Sequence, residues 1–80
     1  MEENEIDKRV KRIICDTLRL QSETVENASD LIRDLGADSL DSVRVQIAIE
    51  EEFEIAIPED VANELNTVGD YVGYVRKQVG

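Results

Sequence analysis

Apolar residues return every three or four positions through most of the chain, and no segment shows a convincing alternation of apolar and polar residues. That spacing places them on one side of a helix, whereas a half-buried strand needs a period of two. Aromatic residues are only 4% of the composition and Trp is absent, so the core must be built from Val, Ile, Leu and Ala. We expect an all-α fold: a small four-helix bundle with three longer helices and one short one. With 80 residues there is room for one modest core, and a chain this short buries only about 60% of its unfolded surface. We therefore read residues 1–80 as a single domain.

The first helix is expected from about Asn4 to Leu18, with Asn4 as N-cap, Asp7 three places on, and Ile6, Val10, Ile13, Ile14 and Thr17 at helical spacing. Lys8, Arg9, Lys11 and Arg12 then mostly face solvent, and Cys15 falls among them rather than on the apolar row. Residues 19–37 form a long loop between the first two helices, longer than compact domains usually tolerate without internal order. Val25, Ala28, Leu31, Ile32 and Leu35 are the residues available to pin it down, with a helical turn over Ser29–Leu35 ended by Gly36. The second helix is expected over Asp38–Phe53, Asp38 as N-cap and Asp41 at the third helical position, where open N–H groups and the helix dipole favour an acid. Pro58 keeps Ile57 out of helix and starts a short third one running to about Leu65. Thr67 and Asp70 form a variant capping box for the last helix, whose apolar residues are Val68, Tyr71, Val72, Val75 and Val79. Gly69 and Gly73 each weaken that helix by about 1 kcal/mol relative to Ala.

Charge excludes one class of ligand. Nineteen acidic against nine basic side chains give a net charge of −10, the opposite of the basic footprint that nucleic acid requires. Basic protein surfaces are the natural partners instead. The acid is concentrated in residues 38–60, which hold eight acids and one base. Other chemistries fall with composition. Zero His and one Cys leave no usual zinc site and no Ser-His-Asp triad. DLGADSLDS fails the calcium-loop spacing in both registers, because position three is Gly36 when counting from Asp34 and Ile32 when counting from Asp30. We expect no metal and no catalytic residue. The lone Cys15 cannot close an intrachain disulfide. No apolar run approaches the roughly 18 residues of a membrane span, and MEENEIDKRV lacks the basic start and apolar stretch of a signal peptide. A reducing, cytoplasmic setting is expected, although a matrix protein after removal of its transit peptide has the same features.

Ser39, in GADSLDSV, remains unexplained. Nothing nearby makes it a strong nucleophile, yet at the first position of a helix its oxygen lies beside unpaired N–H groups at the positive end of the dipole, a place that stabilises an attached phosphate ester. The helix that follows carries two apolar rows: Val45, Ile49 and Phe53 on one side, Leu40, Val43 and Ile47 on roughly the other. A chain of this size can hardly surround a helix completely. The row ending in Phe53 is expected to build the core, and the row beside Ser39 to face partners within an acidic rim.

DLGADSLDSV followed by AIEEEFEIAIPED, with RVKRII in the first helix and TVGDYV in the last, resembles the acyl carrier protein family over essentially the whole chain. The resemblance implies that a holo-carrier-protein synthase attaches 4′-phosphopantetheine covalently to Ser39 from coenzyme A, leaving an arm whose thiol carries acyl groups as thioesters. The chain would be no enzyme. It would work as a monomer that shuttles intermediates among transacylases, condensing enzymes, reductases and dehydratases of fatty-acid synthesis, meeting their basic patches without inserting into a membrane. By the same implication Asp38, Asp41, Glu50 and Glu51 face those patches around Leu40, Val43 and Ile47, and the cargo folds back near Ile49, Ile57, Val61, Ala62 and Leu65. Two residues depart from the family's pattern. Arg44 stands where a glutamate is usual, within pairing distance of Asp41 on the helix, and Gln46 stands where an aliphatic residue usually faces the acyl cavity. Both leave room for a specialised polyketide, lipid-modifying or aminoacyl carrier. A reading from another class is an acidic interaction module without covalent cargo.

Overall fold

The computed structural model describes residues 3–21 and 25–79. It contains four helices, α1 (Glu3–Leu18), α2 (Ser39–Phe53), α3 (Glu59–Ala62) and α4 (Val68–Val79). The first of these, α1, is the element on which both α2 and α4 pack. It turns Ile6, Val10 and Ile14 inward at i, i+4 and i+8, and they meet Val45, Ile49 and Phe53 of α2 and Val68, Tyr71, Val72 and Val75 of α4 in one core. Burying each of these Val and Ile side chains is worth roughly 1.5–3 kcal/mol. Among the described residues no helix is long and apolar enough to cross a membrane.

Several local expectations need correction. α1 begins at Glu3, before the expected cap Asn4, whose side chain lies outside the described ones. Cys15 is buried in the core, because the inward face of α1 is wider than one row and takes in the residue next to Ile14 as well. Arg9 is not simply solvated: its guanidinium lies 4.9 Å over the Phe53 ring and its Nε donates to Glu52 Oε2 at 2.9 Å, so it joins α1 to the end of α2. Lys11 pairs with Asp7 at 2.8 Å, one turn away. The short helix α3 stops at Ala62, with Asn63 as C-cap, earlier than the expected Leu65.

The loop between α1 and α2 is ordered by its own polar side chains. Arg19, at φ 57°, ends α1 in the left-handed conformation, and Leu20 N–H donates to Cys15 O at 2.9 Å. Asp30 accepts from the N–H groups of Ile32 and Arg33, both at 3.0 Å, while Asp34 Oδ2 accepts from Asp30 N–H at 2.7 Å. This reciprocal pair folds residues 31–35 into a turn, which Gly36 leaves at φ +75°, a conformation that costs glycine little. Val25, Leu31 and Ala37 anchor the loop in the core and Leu35 is half-buried against it. Ala28 and Ile32 are exposed instead, since the turn directs only one residue in three or four inward.

Candidate functional site

The start of α2 is built by a complete capping box. Asp38, in extended conformation, accepts from Asp41 N–H at 2.8 Å, and Asp41 Oδ2 accepts from Asp38 N–H at 3.3 Å. The box satisfies the third helical N–H and leaves the first two, on Ser39 and Leu40, without a partner among the described residues. Ser39 occupies the first helical position and is exposed. An oxygen there stands next to two open donors at the positive end of a helix of 15 residues.

Beyond Ser39 the two rows of α2 separate. Val45, Ile49 and Phe53 are buried, whereas Leu40, Val43 and Ile47 are 58%, 46% and 48% exposed. Ile32, from the turn before α2, is 58% exposed and shares a cavity with Ser39 and Val43; the sequence reading had assigned it to the loop's anchor. Asp38 and Glu51 are exposed and Asp41 is half-buried. Glu50 is placed differently from the expected rim: it is half-buried and its Oε2 accepts from Ile57 N–H at 2.8 Å. That bond holds the segment after α2 against the helix end, where Glu54 at φ 54° forms a left-handed cap and Ile55 N–H returns to Glu50 O at 3.1 Å. Arg44 is exposed and has no ion-pair partner among the described residues. The expected pair with Asp41 is absent because that carboxylate turns back to the backbone of its own cap.

A cavity of about 280 Å³ opens beside Ser39, lined by Ile32, Ser39, Ser42, Val43, Gln46, Ala62, Asn63, Leu65, Asn66 and Tyr71. Gln46, Ala62 and Leu65 are the expected pocket residues it brings together. Ile49 and Ile57 lie elsewhere: both are buried in the core, Ile49 because it shares the inward row with Val45 and Phe53, Ile57 because Glu50 pulls its backbone in. Val61 lines a separate groove along α4 with Leu65, Gly73 and Tyr74. The sequence reading missed Ser42, Asn63, Asn66 and Tyr71. Tyr71 sat in the apolar row of α4, and its side chain is indeed only 1% exposed, but it lines the cavity together with Gln46. Burial pushes the Tyr71 hydroxyl above its ordinary pKa, and the Gln46 side chain acts in the opposite direction.

Exposed serine, open helix start and polar cavity together fit a covalently attached phosphate with a polar extension. A protein-family comparison identifies the family: residues 8–75 match the model of the phosphopantetheine attachment site. The chain belongs to this phosphopantetheine attachment family. It is 46% identical over 74 residues to an acyl carrier protein of Sinorhizobium fredii, covering 92% of this chain and 95% of that protein. The identity to an acyl carrier protein of Rhizobium meliloti is the same over the same shares, and an acyl carrier protein of Akkermansia muciniphila is 42% identical over 80 residues, the full length of both chains. The group that proteins of this phosphopantetheine family take is 4′-phosphopantetheine, held by a covalent bond. When attached it supplies a thiol on a long arm.

Proposed function

We propose that this chain is an acyl carrier of fatty-acid synthesis, with Ser39 as the attachment point of the 4′-phosphopantetheine arm and no catalytic activity of its own. The single observation that carries the assignment to Ser39 is the pair of unpartnered N–H groups on Ser39 and Leu40. A phosphodiester on Ser39 Oγ adds a fixed negative charge where the helix start favours one, and the covalent bond overrides the repulsion from Asp38 and Asp41. In the attachment step Ser39 Oγ attacks the pantetheine-side phosphorus of coenzyme A, the phosphoanhydride bond to adenosine 3′,5′-bisphosphate breaks, and the serine proton passes to a base of the transferase. This chain has no histidine to act as that base, and both nearby aspartates are engaged in the capping box.

The contact face proposed for partner enzymes is Leu40, Val43 and Ile47, with Ile32 added, rimmed by Asp38, Asp41 and Glu51. Holo-carrier-protein synthase, transacylases, condensing enzymes, reductases and dehydratases would meet it through basic patches in fast, salt-sensitive encounters. Glu50 contributes less than its neighbours because its carboxylate already holds Ile57 N–H. Arg44 interrupts the rim with a cation whose charge is not neutralised by an ion pair among the described residues, which favours partners carrying an acidic group at that point.

Intact mass after incubation with coenzyme A and a broad-specificity phosphopantetheinyl transferase tests the proposal. The wild type should gain one phosphopantetheinyl group and Ser39→Ala none, with unchanged helix content by circular dichroism. Equal gains in both, or no gain on folded wild type, would contradict it and favour an acidic interaction module.

A further inference from the structure

The cavity beside Ser39 is unusually polar for a site meant to shelter an alkyl chain. Six of the residues lining it, Ser39, Ser42, Gln46, Asn63, Asn66 and Tyr71, carry a hydroxyl or a carboxamide. Tyr71 and Gln46 both line the cavity, and a phenol and a carboxamide each carry several donor and acceptor positions. That capacity is available to whatever enters. The Asn63 carboxamide has no partner among the described residues, and that of Asn66 has only a long contact of 3.4 Å to Glu64 O. An alkyl chain packed here would desolvate these groups and return no hydrogen bonds. At about 280 Å³ the cavity also falls just below the roughly 300–1,000 Å³ of small-molecule pockets, too small for an arm and a long chain together.

We infer that this cavity docks the arm itself: the two amides and the hydroxyl of pantetheine hydrogen-bond to Gln46, Asn63, Asn66 and Tyr71, leaving the thioester outside. The inference rests on the proposed attachment at Ser39. Proximity supports it, because Ser39 is part of the cavity wall and the portion of the arm nearest the phosphate is the portion that carries the hydroxyl and first amide. The chemistry matches as well, since amides and carboxamides complement one another as donors and acceptors. The consequence is a carrier whose cargo stays exposed to solvent and to partner enzymes between encounters, whatever its length.

The test compares apo and arm-loaded protein by 15N–1H correlation spectra, with attachment verified by mass. The side-chain amide resonances of Gln46, Asn63 and Asn66 should move on loading, while that of Asn27, which lies against Gly69 outside the cavity, should not. Tyr71→Phe and Gln46→Val, each of which keeps an apolar body in place, should shrink the shifts at Asn63 and Asn66. Shifts confined to the backbone of residues 39–41 would overturn the inference. So would an octanoyl-loaded arm whose chain protons show nuclear Overhauser contacts to the Tyr71 ring, because the cavity would then belong to the cargo. Absence of any mass gain would remove the carrier reading and this inference with it, a failure distinct from loading without shifts.

Discussion

The helices α2 and α4 begin with the same device and use it for different ends. At α2 the box is Asp38 with Asp41; at α4 it is Thr67 with Asp70, Asp70 N–H donating to Thr67 Oγ1 at 3.1 Å and Asp70 Oδ2 accepting from Thr67 N–H at 3.0 Å. What differs is the pair of N–H groups between the two box residues. At α4 the long loop lies across them: Val68 N–H donates to Ser29 O at 3.0 Å and Gly69 N–H to Asn27 O at 2.8 Å. Leu31 N–H, bonded to Asn66 O at 3.0 Å, and the bridge between Asp30 and Thr67 extend the seam. At α2 the equivalent donors on Ser39 and Leu40 have no partner among the described residues. A helix start closed by backbone is a structural joint, and the same start left open beside a serine is a place to attach an anion.

The largest effect separating the two comes from breaking each box in turn. Asp70→Ala should cost about 2 kcal/mol, at the upper end for a lost cap, because the Asn66 and Thr67 N–H groups and the loop seam depend on that carboxylate. Asp38→Ala should cost about 1 kcal/mol, the typical value for an N-cap, since no loop rests on it. Urea unfolding monitored by helix content measures both, and equal losses would erase the distinction. The same carboxylate gives a pH signature. The Thr67 and Asn66 N–H groups hold Asp70 below the usual carboxylate range, so its contribution is present above the unfolded-state pKa and is lost as pH falls through the lower, folded-state value. Asp70→Asn should therefore flatten the acid side of the stability profile.

A smaller effect sharpens the comparison from within α4. A Cβ at Gly69 would stand 3.0 Å from Asn27 O, whereas at Gly73 it would meet nothing within 4 Å. Gly73→Ala should stabilise by about 1 kcal/mol, the helix-propensity difference. At Gly69 the same change must push the loop backbone away, so it should give no gain or a loss of similar size. Thermal midpoints of the two variants read the difference, and a matching gain at Gly69 would show that the loop is not seated as described.

Features that depend on local spacing were legible in the sequence. The box at Asp38 and Asp41, the pairing of Thr67 with Asp70, and the division of α2 into a buried and an exposed row all follow from periods of three and four residues. Features made by distant segments were not. Arg9 finds Glu52 and Phe53, Tyr74 Oη donates to Ala56 O at 2.8 Å, and Glu50 folds onto Ile57 N–H; each contact depends on how elements pack, for which no nearby residue gives a sign. Cys15 and Tyr71 were misjudged for related reasons. A basic stretch hid the burial of the first, and an apolar row hid the hydroxyl of the second.

The central claim is that the open start of α2, and no other hydroxyl, receives the arm. Fragmenting transferase-loaded protein and locating the added mass by tandem spectrometry addresses it directly. The account predicts the whole phosphopantetheinyl mass on Ser39, with Ser29, Ser42 and Thr67 unmodified. Mass on Ser42, or distributed over several hydroxyls, would contradict it.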